Sequence, residues 1–156
     1  MRARRVSLGE EFGNLRLGYV EWGDPEAARA ILCVHGLTRN ARDFDVLARA
    51  LAERGQRVVC VDVAGRGLSD WLADPKQYDV EVYATQLRRF LERLGLERVD
   101  WVGTSMGGLI GMAVAAGDAS PVARLVLNDV GPFLPGAAVA PLKAYLGLDL
   151  SFATLA

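Results

Sequence analysis

Short apolar runs alternate along the chain with segments whose apolar residues recur at helical spacing. The runs predict strands at residues 4–8, 15–22, 30–34, 58–61, 99–102 and 124–128. Apolar positions three or four residues apart predict amphipathic helices near 44–51 and 83–94, and small residues predict another over 109–116. This alternation predicts an α/β fold, with a mostly parallel, doubly wound sheet and helices on both faces.

A serine lies in a glycine-rich turn between the strand at 99–102 and the helix at 109–116. The turn reads Gly-Thr-Ser-Met-Gly-Gly at residues 103–108. A nucleophile elbow needs this context, because a strained turn exposes the serine hydroxyl and requires small neighbours two residues away. Gly103 and Gly107 occupy those two positions around Ser105. The alternative is a serine that caps a helix beside a glycine-rich packing seam.

Two other predicted strands end in segments that suit the same chemistry. His-Gly-Leu follows the strand at 30–34, and a turn there can direct backbone N–H groups towards a shared site. Acyl transfer needs such donors where negative charge develops. Candidate donors are the N–H groups of Leu37 and of Met106, which begins a helix. After the strand at 58–61 comes a Gly-rich loop, where we expect Asp62 to accept backbone N–H groups and Arg66 to pair with it.

Together these segments resemble the α/β-hydrolase fold family, over residues 15–132. The Ser-Met-Gly-Gly elbow is similar to those of small bacterial esterases, enol-lactonases, carbon–carbon bond hydrolases and cofactor-free haloperoxidases. The resemblance implies that Ser105 is the nucleophile and that the N–H groups of Leu37 and Met106 form the oxyanion hole. It implies an ester, lactone or similar acyl substrate, attacked through an acyl-enzyme, and no cofactor.

The chain departs from the family pattern in its histidine. The family order is nucleophile, acid, histidine, but the single histidine, His35, precedes Ser105. It lies beside the candidate donor Leu37 in the turn at residues 35–37, which we call the oxyanion turn. We therefore expect the catalytic histidine and acid to lie beyond residue 156, and this chain alone to be inactive. Because the acid follows the strand at 124–128 in some members, Asp129 is a candidate; an aspartate of a turn or helix cap is the alternative.

Three further side chains are candidates for the substrate pocket: Asn40, Trp71 and Phe133. The alternatives are a helix cap for Asn40 and core positions for the two aromatic residues. We expect residues 1–134 to form the N-terminal part of the hydrolase core and residues 135–156 to begin a lid, with a helix from residue 142.

Composition and charge indicate which partners, compartment and metal sites to expect. A net charge of −1, with 24% charged and 51% hydrophobic residues, gives no reason to expect nucleic acid or an anionic membrane as a partner. The basic start is followed by Gly9 and Glu10 rather than by the apolar core of a signal peptide. Cys33 and Cys60 fall inside predicted strands as small hydrophobes, and one histidine gives no zinc or iron cluster. We expect a cytoplasmic, metal-free protein.

Two alternative functions stay open. The same fold can host a non-catalytic small-molecule binding protein, and the same elbow can support carbon–carbon bond hydrolysis or cofactor-free haloperoxidation. An open edge at the strand 124–128 predicts self-association or pairing with a missing C-terminal segment.

Overall fold

The computed structural model describes residues 1–133 together with 136, 137, 140 and 141. The strands are β1 (Arg2–Ser7), β2 (Arg16–Trp22), β3 (Ala30–Val34), β4 (Val58–Val61), β5 (Val99–Thr104) and β6 (Val122–Asn128). The α-helices are α1 (Asp45–Ala52), α2 (Val80–Arg93) and α3 (Met106–Ala116). Each was predicted from the sequence, with ends that differ by up to about three residues, as is usual for element boundaries. The expected lid helix from residue 142 lies outside the described residues.

The strands form one six-stranded sheet in the order β1-β2-β4-β3-β5-β6. Strands β4, β3, β5 and β6 run parallel, while β2 is antiparallel to both β1 and β4. The predicted mostly parallel sheet is therefore confirmed, with β1 and β2 as its antiparallel part. Because β3, β4, β5 and β6 point the same way, the segments that follow them meet at one edge of the sheet.

Helices cover both faces of the sheet, but unequally. Helices α2 and α3 pack against each other on one face, above a core that includes Trp101 and Phe90. The other face carries α1, which packs on β2 and β4 over a smaller cluster that includes Cys33 and Cys60. The two cysteines are register partners, buried and free, as the sequence predicted. Helix α1 leaves the β6 side of this face open, where Val126 is 54% exposed.

Among the described residues, the helices are too short or too polar to span a lipid bilayer.

Candidate active site

Ser105 occupies a strained turn between β5 and α3. Its φ of 50° and ψ of −116° lie outside the regions that non-glycine residues ordinarily adopt. Hydrogen bonds hold it there: its N–H donates to the Asn128 carbonyl at 2.9 Å, and its carbonyl accepts from the N–H groups of Gly108 and Leu109. Such strain persists only where the surroundings fix it, and it clusters at active sites. The predicted elbow conformation is observed, with the serine half-buried.

The two glycines that flank the elbow have no room for a side chain. A β-carbon on Gly103 would lie 2.3 Å from the Gly107 carbonyl oxygen. One on Gly107 would lie 2.0 Å from the Val34 carbonyl oxygen at the end of β3. The first turn of α3 therefore rests directly on β3 as well as on β5, which is why the sequence requires glycine at both positions.

A buried tryptophan supports this close packing. The Trp101 indole N–H donates to the Gly107 carbonyl at 3.0 Å, and a β-carbon on Gly111 would lie 2.5 Å from the indole nitrogen. Sequence reasoning assigned Trp101 no role. Side chains alternate between the two faces of a strand, and Trp101 lies in β5 on the face that α3 covers. This alternation was the sequence signal that could have identified its role.

The turn after β3 is in contact with the elbow. A β-carbon on Gly36 would lie 3.6 Å from the Cβ of Ser105, an ordinary van der Waals separation. Within residues 1–133, neither the Leu37 N–H nor the Met106 N–H donates a hydrogen bond. The structure thus brings two free backbone donors beside one serine. Their convergence on one oxyanion position stays a prediction.

His35 is a structural residue of this turn. Its Nδ1–H donates to the Gly36 carbonyl at 2.7 Å, and its Nε2 accepts the Val63 N–H at 3.1 Å. The ring is fully buried, and burial lowers its pKa, which keeps it neutral. Because the only basic nitrogen already accepts a backbone N–H, His35 cannot take a proton from Ser105 without breaking that bond.

The loop after β4 is organised by a buried carboxylate. Asp62 accepts the N–H groups of Ala41 at 2.7 Å and Leu68 at 2.8 Å, as expected from the sequence. Gly67, at a φ of 51°, lies so close that a β-carbon there would be 2.2 Å from the carboxylate. Asp62 therefore joins the loop after β4 to the segment after β3.

The expected pairing of Arg66 with Asp62 is wrong. Arg66 turns instead to the oxyanion turn, where its Nε donates to the Leu37 carbonyl at 3.2 Å. Its Nη1 donates to the Ala64 carbonyl at 2.9 Å and to the Tyr83 hydroxyl. The backbone N–H groups satisfy the Asp62 carboxylate, which leaves it no need of a cation.

The other candidate side chains lie around the same edge of the sheet. Asp129 follows Asn128, the residue that accepts the Ser105 N–H, and has a φ of 57° on an exposed position. Phe133 is 78% exposed. Asn40 accepts the Arg42 N–H at 3.0 Å and caps the 3₁₀ turn Ala41–Phe44, the alternative that the sequence left open. Roles for Asp129 and Phe133 in the site stay predictions.

Two cavities flank this edge. The one that reaches the end of β5 has a volume of about 490 Å³ and is lined by Arg39, Asp43, Phe44, Leu47, Val102, Thr104, Val126 and Asn128. A larger cavity of about 730 Å³ is lined by Trp71, which is 78% exposed. Ser105 lines neither cavity, so a role for Trp71 in the site stays a prediction. Within the described residues no three metal-ligating side chains come together, so no metal ligands are assigned.

Comparison with known proteins identifies the family. The sequence model described as alpha/beta hydrolase fold matches residues 29–149, more than half of the chain. This chain belongs to the alpha/beta hydrolase fold family. A crystal structure of an alpha/beta hydrolase from Novosphingobium aromaticivorans superposes with a TM-score of 0.83 at 39% sequence identity, covering 94% of this chain and 50% of that one.

Two relatives of this chain are named as a hydrolase and as a lipase. The 3-hydroxybutyrate-oligomer hydrolase of Cupriavidus necator is 55% identical over 139 residues, which cover 89% of this chain and 47% of that protein. The sn-1-specific diacylglycerol lipase ABHD11 of Mus musculus is 35% identical over 130 residues, covering 81% and 41%. The chain therefore spans less than half the length of these two relatives.

Proposed function

We propose that this alpha/beta hydrolase is a serine hydrolase that cleaves esters or lactones of small aliphatic hydroxy acids. The observation that carries the proposal is the backbone of Ser105, held at a φ of 50° between glycines that admit no side chain. A helix-capping serine requires no such strain, because a capping residue adopts ordinary extended dihedrals. Capping also uses the side-chain oxygen, and the Ser105 hydroxyl makes no such hydrogen bond to α3.

In the proposed reaction, the Ser105 Oγ attacks the ester carbonyl carbon and gives its proton to a base. The carbonyl oxygen becomes an oxyanion, which accepts hydrogen bonds from the N–H groups of Leu37 and Met106. The alcohol leaves with the transferred proton, and water then hydrolyses the acyl-enzyme. Each oxyanion donor of this kind contributes about 3–4 kcal/mol in other serine hydrolases. Both proposed donors are backbone groups, so their positions depend on the fold rather than on rotamers.

The base in this scheme is a histidine other than His35, because both ring nitrogens of His35 bond to backbone groups. No histidine follows Ser105 in the 156 residues. We therefore expect the chain alone to hydrolyse esters slowly, at the residual level that an oxyanion hole and binding supply. Asp129 is our candidate for the acid that orients the base, since it lies next to the residue that bonds the Ser105 N–H.

The substrate class rests on the relatives. The 55% identical protein from Cupriavidus necator is named for oligomers of 3-hydroxybutyrate, which are linear esters of a short hydroxy acid. Leu37 is 42% exposed in the turn after β3, and Leu68 and Phe133 are 48% and 78% exposed in the segments that follow β4 and β6. Such apolar side chains suit an aliphatic acyl chain better than a charged one.

The test is hydrolysis of a linear 3-hydroxybutyrate dimer by the protein as its gene encodes it. We expect Ser105→Ala to lower kcat by at least about 10³-fold, and Ser120→Ala to leave it unchanged. Ser120 is a matched control, because its hydroxyl lies just before β6 and accepts the Val122 N–H. The 156-residue chain should match Ser105→Ala.

Other outcomes of this assay would favour the alternatives. Turnover that survives Ser105→Ala would contradict the proposal. Tight binding of the ester without Ser105-dependent turnover would favour a binding protein. Cleavage of a carbon–carbon bond in a diketone, or halide oxidation with peroxide, in the absence of ester hydrolysis would favour the other chemistries of this elbow.

A further inference from the structure

Arg66 contacts several groups at the edge of the sheet where the parallel strands end. It lies half-buried in the loop after β4, between glycines at φ 79° and 51°. Its guanidinium reaches the Leu37 carbonyl, the Ala64 carbonyl and the Tyr83 hydroxyl. It also lies over the rings of Tyr78, at 5.7 Å, and Tyr83, at 5.5 Å. One side chain therefore links the oxyanion turn, its own loop and helix α2.

The charge of Arg66 has no carboxylate partner within residues 1–133. The two arginines that follow the oxyanion turn do have partners: the Nε atoms of Arg39 and Arg42 each lie 2.7 Å from a carboxylate oxygen, of Asp43 and Asp45 respectively. Keeping a half-buried cation without a counter-charge costs folding free energy. A positive charge next to the place where an oxyanion forms would compensate for that cost in the transition state.

The contacts of Arg66 also bear on the geometry of the proposed oxyanion donor. The Leu37 N–H belongs to the same peptide unit as the Gly36 carbonyl, which His35 holds at 2.7 Å. The next peptide unit carries the Leu37 carbonyl, which Arg66 holds at 3.2 Å. The two peptide planes on either side of the Leu37 Cα are thus each fixed by a side chain. The Gly36 carbonyl also accepts the Arg39 N–H at 3.2 Å, so its peptide plane is held by two bonds. Among the described residues Arg66 is the one donor to the Leu37 carbonyl, and losing that bond frees the second plane to rotate.

We propose that Arg66 is a positioning residue of the hydrolase reaction, which orients the Leu37 peptide through its carbonyl and places an unpaired positive charge beside the oxyanion site. The inference rests on the proposed function, because it assigns Leu37 as an oxyanion donor. It makes a kinetic distinction. A residue that acts on the oxyanion site changes kcat and the affinity for transition-state analogues, whereas one that acts on substrate binding changes KM.

The test compares Arg66→Met, Arg66→Lys and the control Arg42→Met in the protein as its gene encodes it. Arg42→Met removes the same charge from the same edge of the sheet without touching the oxyanion turn. We expect Arg66→Met to lower kcat by about 10-fold or more with KM within about 2-fold, and to weaken binding of an alkyl boronic acid by the same factor as kcat. Arg66→Lys should recover part of this loss, since it restores the charge but not the planar donor.

A second variant keeps the inference falsifiable if Arg66→Met does not fold. Tyr83→Phe retains the ring beneath the guanidinium but removes the hydroxyl that Nη1 reaches, so it should lower kcat by less than Arg66→Met. Unchanged kcat and unchanged boronic acid affinity in Arg66→Lys and Tyr83→Phe would overturn the inference. Turnover that does not depend on Ser105 would remove the proposed function itself, whereas Ser105-dependent turnover insensitive to Arg66 would remove only this inference.

Discussion

The ends of β3, β4 and β5 differ sharply from the end of β6, although all four strands stop at the same edge of the sheet. After the first three strands, side chains and backbone interlock. His35, Asp62 and Arg66 each form a hydrogen bond with a backbone group of another segment. A β-carbon placed on either elbow glycine would lie within 2.3 Å of a carbonyl oxygen. After β6, Val130 packs against Gly108, but among the described residues a β-carbon on Gly131 would meet nothing within 4 Å, and Asp129 and Phe133 are exposed.

This difference separates two kinds of proposed catalytic group. The proposed nucleophile and oxyanion donors lie in the interlocked region, where packing fixes the backbone without any ligand. The candidate acid lies in the open region, where the described residues do not fix it. Preorganisation lowers the barrier most when it holds groups that stabilise developing charge. The rigid region contains the groups that we propose for that role.

The largest expected effect is on stability at the elbow. Gly107→Ala places a methyl group 2.0 Å from the Val34 carbonyl oxygen, so the backbone must move. We expect it to lower the free energy of unfolding by about 3 kcal/mol or more. Gly131→Ala, where space is open, should change it by less than about 0.5 kcal/mol. Urea unfolding of both variants measures the contrast, and equal losses would contradict the difference between the two regions.

The second effect concerns the loop after β4. Gly67→Ala combines a left-handed φ of 51° with a clash against the Asp62 carboxylate, whereas Gly55→Ala has a φ of 78° and open space. The backbone cost should be similar, about 1 kcal/mol, in both variants. We expect Gly67→Ala to cost about 1–3 kcal/mol more, because Asp62 must give up a backbone hydrogen bond. The same unfolding experiment measures it, and a matching loss in the two variants would show that Asp62 adapts freely.

A third prediction uses the buried histidine. Burial lowers the pKa of His35 from its ordinary value near 6.5. Just below pH 6.5, His35 is therefore protonated in the unfolded chain but remains neutral in the folded protein. The free energy of unfolding should therefore fall as the pH is lowered through 6.5, by up to about 1.4 kcal/mol per pH unit.

The His35→Gln variant provides the control, since its amide can donate and accept but does not titrate. Its stability should depend less on pH between 7 and 5 than that of the parent protein. Thermal melts across this range measure the difference in slope. Parallel slopes would mean that His35 takes up its proton as readily in the folded protein as in the unfolded chain, which would contradict the lowered pKa.

The smallest effect on stability is expected on the open face of β6. We propose that β6 pairs with another copy of the chain, because it is an edge strand among the described residues and carries a 54% exposed valine. Val126→Lys should weaken association of the 156-residue chain with a stability change below about 0.5 kcal/mol. Light scattering at several concentrations measures it, with Val46→Lys, on the 85% exposed position of α1, as the control.

The sequence predicted the sheet and the elbow because both depend on local patterns. Continuous apolar runs place β3, β4 and β5 in the interior, and glycine spacing around Ser105 reflects the contacts that the fold imposes. The partners of Arg66 were not predictable in the same way. An arginine close to an aspartate in the sequence favours the prediction of an ion pair. In the structure, the Asp62 carboxylate instead accepts the backbone N–H groups of residues 41 and 68.

Position along the chain also did not predict how the tryptophans lie in the fold. Trp71 follows a strand that ends at the site edge, and its loop places it in a cavity with residues 11–15, which precede β2. Trp101, inside a strand, supports the elbow through the Gly107 carbonyl. The path of a long loop depends on tertiary contacts such as the Asp70 ion pairs with Arg5 and Arg16, which no local pattern encodes.

The central claim, that Ser105 is a nucleophile, is tested most directly by covalent trapping. The protein as its gene encodes it is incubated with an alkyl fluorophosphonate, digested, and mapped by mass spectrometry. We expect stoichiometric modification of the peptide that contains Ser105, prevented by prior addition of a 3-hydroxybutyrate dimer and absent in Ser105→Ala. Modification at another residue, or none in a protein that hydrolyses the dimer, would contradict it.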